Sequence, residues 1–396
     1  MIPAVTSPAD SHLAALLHVP GAQDHKYTRG VLGVWAGSQS YPGAAVLTCS
    51  AAVRSGAGMV RLVAPERVTN LVLARRPEVV PAIGRCQALV IGPGTDPADT
   101  PRAAELQQAL AFALGEETEA LPAVIDAGAL PLLADRLLEG ARCNAWHVLT
   151  PHAGEAAALL STLGQASTRD AVEKESTAAA WTLSALTGAT VLLKGTPTLV
   201  ANHAAGVLLS LNAGPGWLAT AGSGDVLAGV LGSLLATARA ADESNLKKVY
   251  GDQLGPQASA AMVKSTLTEV SNGPESGQNT RIEATCHDLG NNIKEPQKST
   301  KPLPDRYETE VNHSIVAIPT SCCENLFQAP QTSLAHEGNP VTLLTALAVR
   351  LHAKAAEIAA QTTGGSLGRP IAALDLVDAL PNVLGALLSE VRQSTP

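Results

Sequence analysis

The chain has 396 residues, 46% of them apolar, and a formal net charge of −8 at pH 7. That is enough apolar material for a sizeable core, in one large domain or two average ones. An acidic chain without an arginine–lysine tract suggests no surface for nucleic acid or anionic lipid, and a small-molecule substrate fits better.

No apolar segment is expected to approach membrane-spanning length. Residues 1–10 lack the basic-then-apolar order of a secretory signal, so a cytoplasmic location is expected. The cysteines at 49, 86, 143, 286, 322 and 323 form no Cys-x-x-Cys pair and no metal-ligand spacing with histidine. Reduced, structural thiols are the expectation.

Residues 1–21 read as an N-terminal extension. Val31 to Ala36 is a short apolar run with β-branched residues that stops at Gly37-Ser-Gln-Ser-Tyr-Pro-Gly43, before an alanine-rich segment reaching Arg54. This is the pattern of strand, loop and helix. Met59 to Ala64, Ala88 to Ile91, Ala123 to Ile125, His147 to Leu149 and Thr190 to Leu193 predict further strands, and Leu199 to Asn202 another. Helical patterns around 102–113, 152–162 and 170–185 separate them, and the alternation predicts an α/β sheet with helices on both faces. Most of these strands end in Gly, Ser, Asp, Thr-Pro-His or Lys-Gly, at the edge where open α/β sheets bind ligands.

Four strand ends stand out. Small residues in the loop Gly37 to Ala45 admit a ligand close to the backbone, unless they make only a tight turn. Gly92-Pro-Gly94 leaves a bare backbone wall. Thr150-Pro-His-Ala-Gly-Glu155 opens a helix, with His152 either at the ligand or structural, and Glu155 at the third helical position, where a capping residue would sit. Lys194-Gly-Thr-Pro-Thr198 ends an apolar strand in a lysine-poor core; Lys194 either reaches a nucleotide phosphate as a point charge or snorkels to solvent.

The stretch Asn212 to Leu231 organises the rest. Gly222, Ser223 and Gly224 let the backbone approach an anion, and a helix starting near Asp225 aims unpaired N–H groups and its positive dipole end at it. A carboxylate beside phosphate is repelled, so Asp225 either caps the helix or handles a proton.

Composition shifts near 238 and back near 341. Six of the ten lysines (247, 248, 264, 294, 298, 301) lie between, apolar periodicity weakens, and Pro302 and Pro304 interrupt it. Leu343 to Ala360 and Ala372 to Leu388 then resume helical patterns. The reading is a discontinuous domain, 22–237 with 342–396, split by an inserted segment at 238–341. That segment is a flexible excursion, a small module or a foreign insertion.

In order, His25-Lys-Tyr-Thr-Arg-Gly30, Gly37 to Ala45, Gly92-Pro-Gly94, Asp126-Ala-Gly-Ala-Leu130, Thr150 to Glu155, Lys194 to Thr198 and Asn212 to Gly229 resemble the ADP-dependent NAD(P)H-hydrate dehydratases. The resemblance covers about 22–237 and 342–390. It implies a ribokinase-like three-layer α/β/α sandwich with a mostly parallel central sheet. It also implies repair of the S epimer of hydrated NADH or NADPH, whose ring hydroxyl is phosphorylated and then lost as phosphate. By similarity, Ala44, Gly94, His152 and Asp225 would hold the hydrate. Lys194, Gly195, Thr196, Pro197, Thr198 and Gly224 would hold ADP or ATP with Mg²⁺, and Asp225 would be the general base, held ionised beside the phosphates. Many bacterial relatives carry a fused epimerase domain, for which residues 1–21 are too short, so a separate epimerase is expected. Relatives also suggest a symmetric homo-oligomer. The rivals are a ribokinase-like kinase of the hydroxymethylpyrimidine or hydroxyethylthiazole type, and a non-catalytic nucleotide-binding regulator.

Overall fold

The computed structural model describes residues 2–116, 119–250, 340–366 and 368–394. Most of the segment expected to be inserted, with Cys286, Cys322 and Cys323, lies outside them.

The elements follow in order: α1 (Asp10–Ala14), β1 (Val31–Trp35), α2 (Pro42–Arg54), β2 (Met59–Val63), α3 (Glu66–Arg75), β3 (Ala88–Ile91), α4 (Thr100–Leu114), β4 (Ala123–Ile125), α5 (Ala129–Leu138) and β5 (His147–Leu149). Then come α6 (Ala153–Thr162), α7 (Arg169–Lys174), α8 (Ser176–Thr187), β6 (Thr190–Leu193), β7 (Thr198–Asn202), β8 (Val207–Leu211), a 3₁₀ turn at Gly216–Leu218, and α9 (Ser223–Tyr250). After the undescribed stretch the chain continues as α10 (Pro340–Ala360) and α11 (Ala373–Ser394).

The eight strands form one sheet in the order β2-β1-β3-β4-β5-β6-β7-β8. Neighbours from β2 to β6 are parallel, while β6, β7 and β8 meander antiparallel. Side chains alternate across the sheet as the strand period requires. Leu32 and Val34 of β1 join one apolar cluster with α2, α9, α10 and α11, whereas Val31 and Trp35 join the other with α4, α5, α6 and α8. Burial on both faces accounts for the near-continuous apolar strands, and the three-layer sandwich expected from the sequence is the architecture found.

Some expectations change. The helical pattern at 170–185 is two helices, because Glu175 takes a non-helical conformation (φ −121°, ψ 44°) and Thr168 caps the first of them. A strand not anticipated, β8, closes the meander. The helix expected near Asp225 starts at Ser223 and runs through the composition boundary at 238, with Ala240 buried beyond it. Against the expectation that no segment approaches membrane-spanning length, Ser223–Glu243 is long and apolar enough to do so. Most of that stretch is buried against the sheet, which explains its apolar character as core packing.

The N-terminal residues belong to the same body. Thr6 bridges to Leu209 on β8 through backbone bonds of 3.0 and 2.9 Å, covering part of the sheet's outer edge. Asp10 then pairs with Arg350 of α10 at 2.7 and 2.8 Å.

Candidate active site

Five consecutive strands of the sheet deliver their C-terminal loops to one edge. β1 ends at Gly37, β3 at Gly92-Pro-Gly94, β4 at Asp126, β5 at Thr150-Pro-His152 and β6 at Lys194. These loops are tied together by the backbone. Gly37 N–H donates to Pro93 O at 2.8 Å, and Lys194 N–H to Pro151 O at 2.8 Å. Gly92 sits at φ +109°, and a Cβ there would lie 2.0 Å from the Asp126 carbonyl oxygen. Only glycine lets β3 turn this close to β4. Ala44, on the first turn of α2, packs against Gly94 so tightly that a Cβ on Gly94 would reach 2.2 Å from the Ala44 methyl.

Lys194 is the hub. Its ammonium lies 2.9 Å from Asp126 Oδ1 and 3.7 Å from Glu155 Oε2. Asp126 is buried and also accepts a bond from Thr150 Oγ1 at 2.8 Å. Burial alone would lower the Lys194 pKa, but the carboxylates of Asp126, Glu155 and Asp225 outweigh it and raise it. A half-buried lysine whose ammonium is turned onto carboxylates is not snorkelling to water.

Asp225 lies in the first turn of α9, beside that ammonium. Burial, then the Asp126 charge, raise its pKa to about 7, opposed by Lys194. Near neutral pH it is therefore poised between its two forms. Gly222 makes the turn into α9 at φ +86°, where a Cβ would meet Leu47 at 2.4 Å. Ser223 N–H bonds back to Thr220 O at 3.4 Å, and Val226 N–H to Gly222 O at 3.2 Å. The N–H groups of Gly224 and Asp225 precede any α-helical acceptor within α9, as helix geometry dictates. A Cβ on Gly224 would stand 3.7 Å from Lys194 Nζ, so its hydrogen leaves open the space between helix end and ammonium.

His152 caps α6. Its Nδ1 accepts the N–H bonds of Gly154 (3.0 Å) and Glu155 (3.1 Å), while Glu155 Oε2 accepts His152 N–H at 2.8 Å. The capping reading of Glu155 thus holds, and it does not exclude a ligand role for His152. With Nδ1 occupied as an acceptor, the neutral ring carries its proton on Nε2. The exposed ring borders two cavities. One, of 560 Å³, is lined by Lys194, Gly195, Thr196 and Pro197 together with Arg169 of α7. The other, of 710 Å³, is lined by Gly94, Tyr41, Ala127 and Glu155. Thr198 turns inward instead, its hydroxyl donating to Gly195 O at 3.0 Å to brace the loop.

The structure therefore brings Lys194, Asp225, Gly224 and His152 into one neighbourhood and sets Ala44 behind Gly94 at its side. Asp126 was not singled out for chemistry from the sequence. Its signal was a lone acidic residue directly after an apolar strand, in the motif Asp126 to Leu130.

A mostly parallel sheet packed on both faces, with an aspartate-bearing helix N-terminus over its strand ends, is the ribokinase-like arrangement. The family model for NAD(P)H-hydrate dehydratase matches residues 32–272, more than half of the chain, and the chain belongs to that family.

Among relatives, a bifunctional NAD(P)H-hydrate repair enzyme of Mycobacterium tuberculosis is 47% identical over 232 residues, 57% of this chain and 45% of that protein. An ADP-dependent (S)-NAD(P)H-hydrate dehydratase of Neisseria meningitidis is 40% identical over 225 residues, 54% of this chain and 71% of the relative. The chain thus spans about half the length of the bifunctional relatives it matches. The fold is shared with an ADP/ATP-dependent NAD(P)H-hydrate dehydratase from Bacillus subtilis co-crystallized with ATP/Mg²⁺, at TM-score 0.58 and 20% identity, covering 97% of this chain and 99% of that one.

Proposed function

We propose that this protein dehydrates the S epimer of hydrated NADH and NADPH, using ADP or ATP as phosphoryl donor. The observation that carries the reading is that Lys194, which lines one of the two cavities that His152 borders, is grouped with Asp126 and with Asp225 on the first turn of α9. A two-substrate phosphoryl transfer needs such a junction, because catalysis rests on aligning donor and acceptor and on stabilising oxygen charge.

In this reading the nucleotide lies along Lys194 to Thr198, with its terminal phosphate toward the N–H groups of Gly224 and Asp225. The hydrate enters beside Ala44, Gly94 and His152. The Asp225 carboxylate takes the hydroxyl proton as that oxygen attacks the terminal phosphorus, and the nucleotide leaves one phosphate shorter. Cleavage of the ring C–O bond then expels inorganic phosphate, and loss of a proton from the neighbouring carbon restores the double bond. A base with pKa about 7 is well matched to the first step.

Mg²⁺ is the expected companion, supplying charge neutralisation on the phosphates. Among the described residues no group of three His, Cys, Asp or Glu could cage a metal. In this reading the ion keeps its waters and arrives on the nucleotide's phosphates. The carboxylate excess around Lys194 favours such a complex over bare nucleotide. A symmetric homo-oligomer is the proposed assembly.

The test mixes purified protein with (S)-NADH hydrate, Mg²⁺ and either ADP or ATP, following absorbance in the reduced-nicotinamide band. A nucleotide-dependent rise with equal phosphate release is expected. A stable phosphorylated product in place of phosphate release would point to a kinase of the same fold. Nucleotide binding without any turnover would point to the regulator.

A further inference from the structure

The first turn of α9 is held from outside the catalytic cluster. His352, in the middle of α10, is buried, and its Nε2 lies 2.8 Å from the Ser223 carbonyl oxygen. A carbonyl only accepts, so Nε2 carries the proton and donates. Burial drives the pKa of this imidazole down to about 4, against a smaller raising effect of the Ser223 bond, so the ring is neutral at physiological pH. The Asp225 carbonyl, in the same turn, accepts from Thr48 Oγ1 of α2 at 3.2 Å. Next to His352, the Cα of Ala353 is 3.2 Å from where a Cβ on Gly214 would stand, so α10 also backs the loop leading into the site.

We propose that His352 is a positioning residue: its Nε2–H bond to Ser223 O fixes the first turn of α9 so that the N–H groups of Gly224 and Asp225 converge on the phosphoryl group. Preorganised donors stabilise developing charge only if they need not be reoriented during the reaction. Helix ends fray unless they are held, and a turn containing Gly222 and Gly224 has little side-chain packing of its own to hold it. His352 supplies a fixed point on Ser223, the residue whose peptide unit carries the Gly224 N–H. Rotation of that peptide would swing carbonyl and N–H together, so a bond to the carbonyl orients the donor. The role reaches the phosphate through the backbone, without contact between the imidazole and any ligand.

The inference rests on reading this turn as the phosphoryl seat, and the experiment separates the two. His352→Leu and His352→Gln are compared with the parent by calorimetric titration of ADP with Mg²⁺, without hydrate, and then by steady-state kinetics. His352→Leu is expected to lose about tenfold in ADP affinity and at least about tenfold in kcat, the size of a disturbed charge-stabilising donor. The KM for the hydrate should stay within about twofold. His352→Gln, whose amide can donate in place of Nε2, should recover most of both losses. If His352→Leu does not fold, His352→Met takes its place as an apolar side chain that adapts to irregular cavities.

A folded apolar variant with parental ADP affinity and kcat, whatever its melting temperature, would overturn the proposal and leave His352 as packing. So would a loss in kcat that His352→Gln fails to restore. A parent that binds ADP but does not dehydrate the hydrate sinks the substrate assignment alone, because the ADP titrations still judge His352.

Discussion

Replacing Asp225 by Asn should make the protein more stable at alkaline pH and inactive. Asp225 is shifted from an ordinary carboxyl value of 3.8 to about 7 by burial and by Asp126. In the unfolded chain it ionises near 3.8, so between pH 4 and 7 the folded protein binds more protons than the unfolded one. Stability contributed by this group therefore falls as pH rises across that window and stays low above it. At about 1.4 kcal/mol per pH unit, the full shift amounts to roughly 4 kcal/mol. Solvent reaching the partly exposed carboxyl reduces this, and about 2 kcal/mol is the working figure. Asn carries no charge and keeps the shape, so Asp225→Asn should equal its parent near pH 4 and gain the difference progressively up to about pH 7. Thermal melts between pH 4.5 and 8.5 measure it, with a rise in Tm of about 4 °C expected at the alkaline end for a domain of this size. Turnover should drop by several orders of magnitude while ADP affinity stays within about tenfold, as for a group acting in the transition state. A variant no more stable than its parent at pH 8.5, or a gain independent of pH, would refute the charge argument.

The other expectations concern the same edge of the sheet. Lys194→Ala leaves buried Asp126 without its cation, and should weaken ADP binding at least about tenfold while lowering stability by about 2–3 kcal/mol. Unchanged affinity would return Lys194 to a structural role. Because ionised Asp225 is the proposed base, kcat/KM should rise with pH through about 7. Asp126→Asn, which removes a raising charge, should move that limb to lower pH, and a shift upward would contradict the cluster. Gly92→Ala should cost more than about 3 kcal/mol in a denaturant titration, since its methyl would sit 2.0 Å from the Asp126 oxygen at φ +109°. A mild effect there would mean that β3 and β4 can separate at their ends.

The strand ends were readable because burial on both faces compresses a parallel strand into a short apolar run, and the run stops where the ligand edge begins. Trp35 to Gly37 and Leu193 to Lys194 show that transition within two or three residues. The glycine-rich turn before Asp225 was legible because only a close backbone approach explains so many small residues. Asp126 was not, since one carboxylate among 35 acidic residues acquires meaning only when the sheet sets β4 one strand away from β6 and Lys194 reaches across to it. His352 was hidden for a related reason: its partner is a backbone carbonyl 129 positions away, and no local spacing encodes that contact. The pattern at 170–185 looked continuous because no glycine or proline interrupts it, and the break at Glu175 depends on backbone angles.

The electrostatics of the cluster constrain how the nucleotide binds. Asp126, Glu155 and Asp225 face a single ammonium, so the group has two surplus negative charges when Asp225 is ionised and one when it is protonated. A polyphosphate approaching this group is opposed by that surplus, and the helix end and Lys194 together offset only part of it. Two adjustments reduce the conflict: Asp225 takes a proton, or a divalent cation comes with the phosphate. The first would disable the proposed base, whereas the second leaves it available. Nucleotide affinity measured without Mg²⁺ should therefore weaken as pH rises through about 7, while affinity with saturating Mg²⁺ should depend little on pH. Parallel calorimetric titrations of ADP at pH 6 and 8, with and without Mg²⁺, distinguish these cases. Affinity independent of pH in both series would mean that the bound phosphate lies too far from Asp225 to sense its charge. The carboxylate could not then be the group that receives the hydroxyl proton.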